Sequence, residues 1–289
     1  KGSFRFQSKM RLSRVFILIQ NTVSATLIAI ALLMVAQMHH LATLPMGYRT
    51  KGLVQLITYS YSTYVEQLRP IYDRLLAMPS VALMQVKKEM DYMLSLVKEN
   101  ISLSFEAIET EGMPQGEKIV SNEAVIDFTN GALTKFLIKL SPTVEQSDEQ
   151  VIGAYFHVLN DLERIGDHAE NFHEITAEMA QKGIAFSENG QQDMGKMRET
   201  VLQMLSISKD AFDNLNKVNL PELDKLEEKA DNLKKALIAG HFARLAEGNC
   251  SMEVSPYYSS TVVGLERVAD HLVNVGYSIV SPIGSDKED

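Results

Sequence analysis

The chain has 289 residues, a net charge of −9 and 45% apolar residues, so it can close a sizeable core and is not globally disordered. Only 16 Gly and 8 Pro punctuate it, so its elements should be few and long, which excludes a many-stranded β fold. Residues 1–65 hold seven basic residues and no acid, leaving 21 basic against 37 acidic residues in the other 224; so acidic a body repels phosphate backbones and excludes nucleic acid as a partner.

In chain order, the first element is an apolar stretch. From Val15 to Met38, 24 residues run without a charge, within the roughly 17 to 25 that a helix needs to cross a bilayer. Residues 1–45 are therefore expected to form a transmembrane helix with a basic N-terminal flank, and residues 46–79 a connector. Gln20, Asn21, Thr22, Ser24 and Thr26 make the first half of the stretch polar, which suits a helix facing other helices. The stretch is too long for a signal-peptide core. The chain opens on Lys1, not Met, and is read as the C-terminal part of a longer protein with further spans upstream. Bases on both flanks of the stretch leave its orientation unset by charge.

Beyond the connector the apolar period becomes helical. Leu83, Val86, Met90, Met93, Leu94, Val97 and Ile101 recur at steps of three and four, predicting an amphipathic helix over 80–110. Further helices are predicted over 116–140, 146–182, 187–217, 221–247 and 255–281, separated by Pro142, Gly183, Pro221 and Gly248.

The helical body repeats itself. LERIGDHAEN at 162–171 recurs as LERVADHLVN at 265–274, an offset of 103. Glu123 and Asp127 correspond to Glu227 and Asp231 at an offset of 104, as Met90, Met93 and Val97 do to Met194, Met197 and Val201. Three matches in one order at nearly one offset indicate a duplicated three-helix unit. The fold class is therefore all-α, with three-helix repeats at 80–183 and 184–289.

The repeated residues suggest a cation site. Positions i, i+4 and i+8 of a helix drift only about 40° per step, so Glu163, Asp167 and Asn171 form one polar column, and Glu266, Asp270 and Asn274 another. Both columns run beside apolar stripes and so lie at the edge of a packed seam. Carboxylates there repel one another and lose hydration unless a cation or an arginine compensates. Glu123 with Asp127, and Glu227 with Asp231, can add ligands from a neighbouring helix of each half. Oxygen ligands without cysteine favour Mg, Mn, Ca or Fe, with Zn a further candidate. An isolated Glu-x-x-x-Asp is most often a solvated helix face; its duplication is what favours a metal. Arg164 and Arg267 can neutralise charge instead, and His168 and His271, about 100° from each Asp, suit structural hydrogen bonds.

An enzymatic reading finds little support. A di-metal four-helix site uses Glu-x-x-His on two helices, and only Glu170-x-x-His173 matches. No Gly-rich phosphate loop or nucleophile elbow is present.

The two complete motifs, LERIGDHAEN and LERVADHLVN, resemble those of the PhoU-like domain over about residues 80–282. The resemblance implies an all-α fold whose Glu-x-x-x-Asp-x-x-x-Asn motifs bind metal clusters in several members. Joined to a membrane segment through RLLAMPSVALMQVKKEM at 74–90, the chain looks like the C-terminal part of a bacterial sodium/phosphate cotransporter. That resemblance implies sodium and inorganic phosphate sites upstream, the cell membrane (bacterial inner membrane) as location, and a cytoplasmic regulatory helical domain, with a homodimer as one assembly. The alternative is a PhoU-type phosphate-signalling adaptor acting through protein contacts.

Overall fold

The computed structural model describes residues 75–110 and 116–280. These form six α-helices and, among the described residues, no strand: α1 (Pro79–Thr110), α2 (Gly116–Leu140), α3 (Gln146–Lys182), α4 (Glu188–Asn214), α5 (Leu220–Ala246) and α6 (Ser255–Val280). The predicted membrane helix over 1–45 and most of the 46–79 connector lie outside the described residues. No helix among the described residues is long and apolar enough to cross a membrane.

Local chemistry sets the helix ends. Gly183 closes α3 with a left-handed backbone (φ 64°), and its N–H and that of Ile184 return to the Ala180 and Met179 carbonyls. The Ser187 hydroxyl caps α4 by accepting from the Gly190 N–H at 3.3 Å. That helix ends three residues before its predicted limit of 217. Asn216 Oδ1 accepts from the Val218 N–H at 3.0 Å while its amide reaches Asp210, an asparagine turn that competes with the helical ladder.

Within each half every helix packs on the other two, and the halves join mainly through α3 against α6, with a smaller α1–α4 contact. The two central helices run antiparallel: Lys182 meets Tyr257 near one end, the His168 and His271 rings lie 6.0 Å apart, and Asp161 meets Asn274 beyond them. Val158, Leu162, Ile165 and Ala169 of α3 and Val262, Leu265, Val268 and Leu272 of α6 are fully or almost fully buried in this seam. Burying a Val or Leu side chain contributes about 1.5–3 kcal/mol, so the interface is a hydrophobic core rather than a loose contact.

Equivalent hydrogen bonds repeat in the two halves. Ser104 Oγ donates to the Ala169 carbonyl at 3.1 Å, and Ser208 Oγ to the Leu272 carbonyl at 2.8 Å. Ser208 lies 104 residues after Ser104, and Leu272 lies 103 after Ala169, so the spacing read from the motifs holds in the packing.

Candidate metal centre

Glu123 and Asp127 sit one turn apart on α2, facing the middle of α3. Their carboxylates and that of Asp167 offer ligand oxygens that all lie within 4.8 Å of one another. Among the described residues this is the one cluster of three His, Cys, Asp or Glu side chains arranged to hold an ion. Its walls grade outward: Glu123 is buried, Asp167 half-buried and Asp127 exposed.

Gly166 makes the burial of Glu123 possible. A Cβ at that position would collide with Glu123 Oε2 and stand 3.0 Å from its Cδ, so α3 leaves a notch that the carboxylate fills. Glu123 is 3% exposed, and neither of its carboxylate oxygens has a hydrogen-bond partner. Burial, then the charges of Asp127, Asp167, Glu170 and Glu163, push its pKa up to about 8. Burial followed by the charge of Asp167 also raises Asp127. Glu163 is raised as well, by burial and then Asp167, with Arg164 opposing.

Arg164 contacts Glu163 at 3.8 Å and Asp167 at 3.4 Å from an exposed position, where such pairs contribute at most about 1 kcal/mol. It therefore leaves the Glu123 oxygens uncompensated. A group of hard oxygen donors, with one buried member lacking any partner, fits a cation such as Mg, Mn, Ca or Fe.

The other half is arranged differently. Lys234 on α5 places its ammonium on Glu266 and 3.4 Å from Asp231, and Lys235 lies 3.5 Å from Asp231. The hydrogen bond to Glu266 holds the Lys234 pKa above its ordinary value. Glu227 and Asp270 remain close enough for Glu227 to raise Asp270, after burial and Glu266. The side chains of Glu227, Asp231, Glu266 and Asp270 are thus drawn to one groove whose cation is a lysine.

The two asparagines lie at the α3–α6 seam. The drift of about 40° per step carries both out of their columns toward the α3–α6 seam. Asn171 lines a groove there, and Asn274 donates to Asp161 at 3.4 Å. His271 contacts the same carboxylate at 2.8 Å, the structural role expected of it, whereas His168 makes no hydrogen bond among the described residues. Glu170 was not singled out as a ligand. Its charge bears on Glu123, and its position seven residues after Glu163 on the same helix face was the available signal.

Comparison with known proteins follows the same two halves. The PhoU domain family model matches twice, at residues 90–176 and 194–279, and so takes in most of all six helices. The chain belongs to the PhoU domain family. It is 25% identical over 211 residues to the phosphate-specific transport system accessory protein PhoU homolog 1 of Thermotoga maritima, covering 68% of this chain and 84% of that protein. PhoU from Pseudomonas aeruginosa shares the fold, with a TM-score of 0.65 at 18% identity over 70% of this chain and 96% of that one. So does the phosphate transport system regulatory protein PhoU from Streptococcus pneumoniae, with a TM-score of 0.62 at 20% identity, covering 70% and 95%.

These findings correct the location expected from sequence. The family match covers the helical body and the PhoU relative is described as an accessory protein of phosphate transport, which contradicts placement in the bacterial inner membrane. The preceding transmembrane helix has no support from the described residues. The apolar run from Val15 to Met38 had suggested it because length without charge is the same signal for a span and for any long apolar segment.

Proposed function

We propose that this protein is a PhoU-type regulator of phosphate transport, acting through protein contacts, and that its first half carries a metal centre. The observation supporting the regulatory reading is the double family match across the helical body. This adaptor replaces the cotransporter reading, whose argument rested on a segment outside the described residues. Regulation here means presenting a helical surface whose shape depends on the centre between α2 and α3.

Glu123, Asp127 and Asp167 would hold the ion, with Glu163 and Glu170 adding negative charge around it. When bound, the cation would supply the positive charge that the buried Glu123 lacks. The protein's contribution is to exclude water from Glu123, to hold α2 against the Gly166 notch, and to leave Asp127 open to solvent as the route of access.

Two experiments test the reading. Deleting the gene should derepress a phosphate-starvation reporter, and the full chain should restore repression; sodium-dependent phosphate uptake by vesicles containing the full chain alone would refute the regulator. Elemental analysis of the full chain purified without chelators should find bound metal, lost in Asp127→Asn and Asp167→Asn. Equal metal in those variants and the parent would refute the centre.

A further inference from the structure

His271 and Asn274 on α6 both turn to a carboxylate on α3, that of Asp161. Its Oδ1 lies 2.8 Å from His271 Nδ1 and 3.4 Å from Asn274 Nδ2, and the residue is 6% exposed. The repeat reverses this contact: His168 and Asn171 on α3 should turn to the residue of α6 that corresponds to Asp161. Adding 103 gives Gly264. A Cβ on Gly264 would stand 3.8 Å from His168 Nδ1, and the Phe172 ring, 2.7 and 3.0 Å from the same point, takes the space that a side chain there would need. One histidine–asparagine pair therefore holds an internal carboxylate, and its mate faces a residue with no side chain.

The place is open. His168, Asn171 and Arg267 line a groove of about 560 Å³ between α3 and α6. Among the described residues His168 and Asn171 make no hydrogen bond and Arg267 no ion pair, although its counterpart Arg164 contacts Glu163 and Asp167. Phe172 packs on the backbone of Gly264, where its counterpart is the smaller Val275. Glu174 and Glu178 line the far end, and Lys182 pairs with Glu178 at 2.7 Å, so the negative lining lies away from Arg267 and is partly neutralised.

We propose that the His168, Asn171 and Arg267 end of this groove binds an external oxyanion, a carboxylate or phosphate group, in the role that the Asp161 carboxylate fills on the opposite side. Donors of the same two types are in place, an arginine is added, and the internal acceptor is missing. A charge-assisted hydrogen bond to an oxyanion is about twice as strong as a neutral one, which favours an anion over water in the groove. The site is distinct from the metal centre and needs no ion there.

The test is titration of the isotopically labelled full chain with sodium acetate and, separately, sodium phosphate, against chloride at matched ionic strength. The readout is the backbone amide shifts of Asn171 and Gly264. A saturable shift is expected with at least one anion. Tighter acetate binding assigns the group to a carboxylate borne by a partner; tighter phosphate binding assigns it to free phosphate.

Arg267→Gln, on an exposed side chain, should weaken binding about fivefold, a change of roughly 1 kcal/mol. The double variant Phe172→Val with Gly264→Asp rebuilds the opposite side and should abolish binding. Asp127→Asn should leave it unchanged. No saturable shift with either anion up to about 50 mM, a concentration that still detects binding weaker than millimolar, would overturn the proposal. So would binding of undiminished strength in Arg267→Gln.

Discussion

Glu123 and Glu227 hold the same place in the two halves, and only the first is sealed from water. Two substitutions account for the difference. Where α3 has Gly166, whose missing Cβ leaves the notch that Glu123 uses, α6 has Ala269. Where α2 has Asn130, α5 has Lys234, which reaches Glu266 and Asp231. The duplicated acidic groove thus has two solutions to the same electrostatic problem. One half carries a covalently attached ammonium, and the other keeps a buried carboxylate without a partner, at the place proposed for an external cation.

The comparison breaks most sharply if the lysine is moved. Asn130→Lys should place an ammonium beside Asp127 as Lys234 lies beside Asp231, and metal content measured by elemental analysis should fall to none. Retained metal would show that Lys234 is not a substitute for an ion. The reciprocal Lys234→Asn removes the partner of Glu266, which is 8% exposed, and should cost about 1–3 kcal/mol in urea unfolding.

The next effect is one of pH. Folding raises the Glu123 pKa from 4.5 to about 8, so the folded metal-free protein holds a proton that the unfolded chain releases in that interval. Stability from this group is fully present below pH 4.5, declines on the order of 1 kcal/mol per pH unit, and stops declining near pH 8. Urea unfolding of the chelated protein between pH 5 and 8 should show the decline, and Glu123→Gln should flatten it.

How much of this was legible in the sequence varies with the physics involved. The helices were, because apolar residues at steps of three and four and breaks at Gly183 and Pro221 are local signals; the early end of α4 was not, because it depends on how the Asn216 side chain folds back. The repeat was legible, and with it Glu123, Asp127 and Asp167. The asymmetry was hidden in plain letters. Gly166 against Ala269 reads as a neutral exchange until α2 is known to lie against that point. A lysine three residues after Asp231 reads as an ordinary surface pair until it is found on a glutamate of another helix.

Gly166→Ala isolates the notch. The added methyl must move the end of a flexible Glu123 side chain rather than backbone, while alanine favours the helix over glycine by about 1 kcal/mol, so the melting temperature should change little. Metal affinity should nonetheless fall about tenfold, the equivalent of roughly 1.4 kcal/mol, because a displaced Glu123 no longer shares the ion with Asp127 and Asp167. Unchanged affinity would mean that the notch is incidental packing.

The smallest effect is one where the halves should agree. Ser104 and Ser208 are buried and donate to corresponding carbonyls across their own halves, at Ala169 and Leu272. Each Ser→Ala change should cost about 1 kcal/mol by leaving a carbonyl less well satisfied, and the two costs should match closely. Ser104 also lies 2.8 Å from the Asn100 carbonyl, and its single hydroxyl proton must divide between two acceptors. If Ser104→Ala therefore costs measurably less than Ser208→Ala, the asymmetry of the acidic grooves extends into the scaffold; equal costs confine it to the side chains around Glu123 and Lys234.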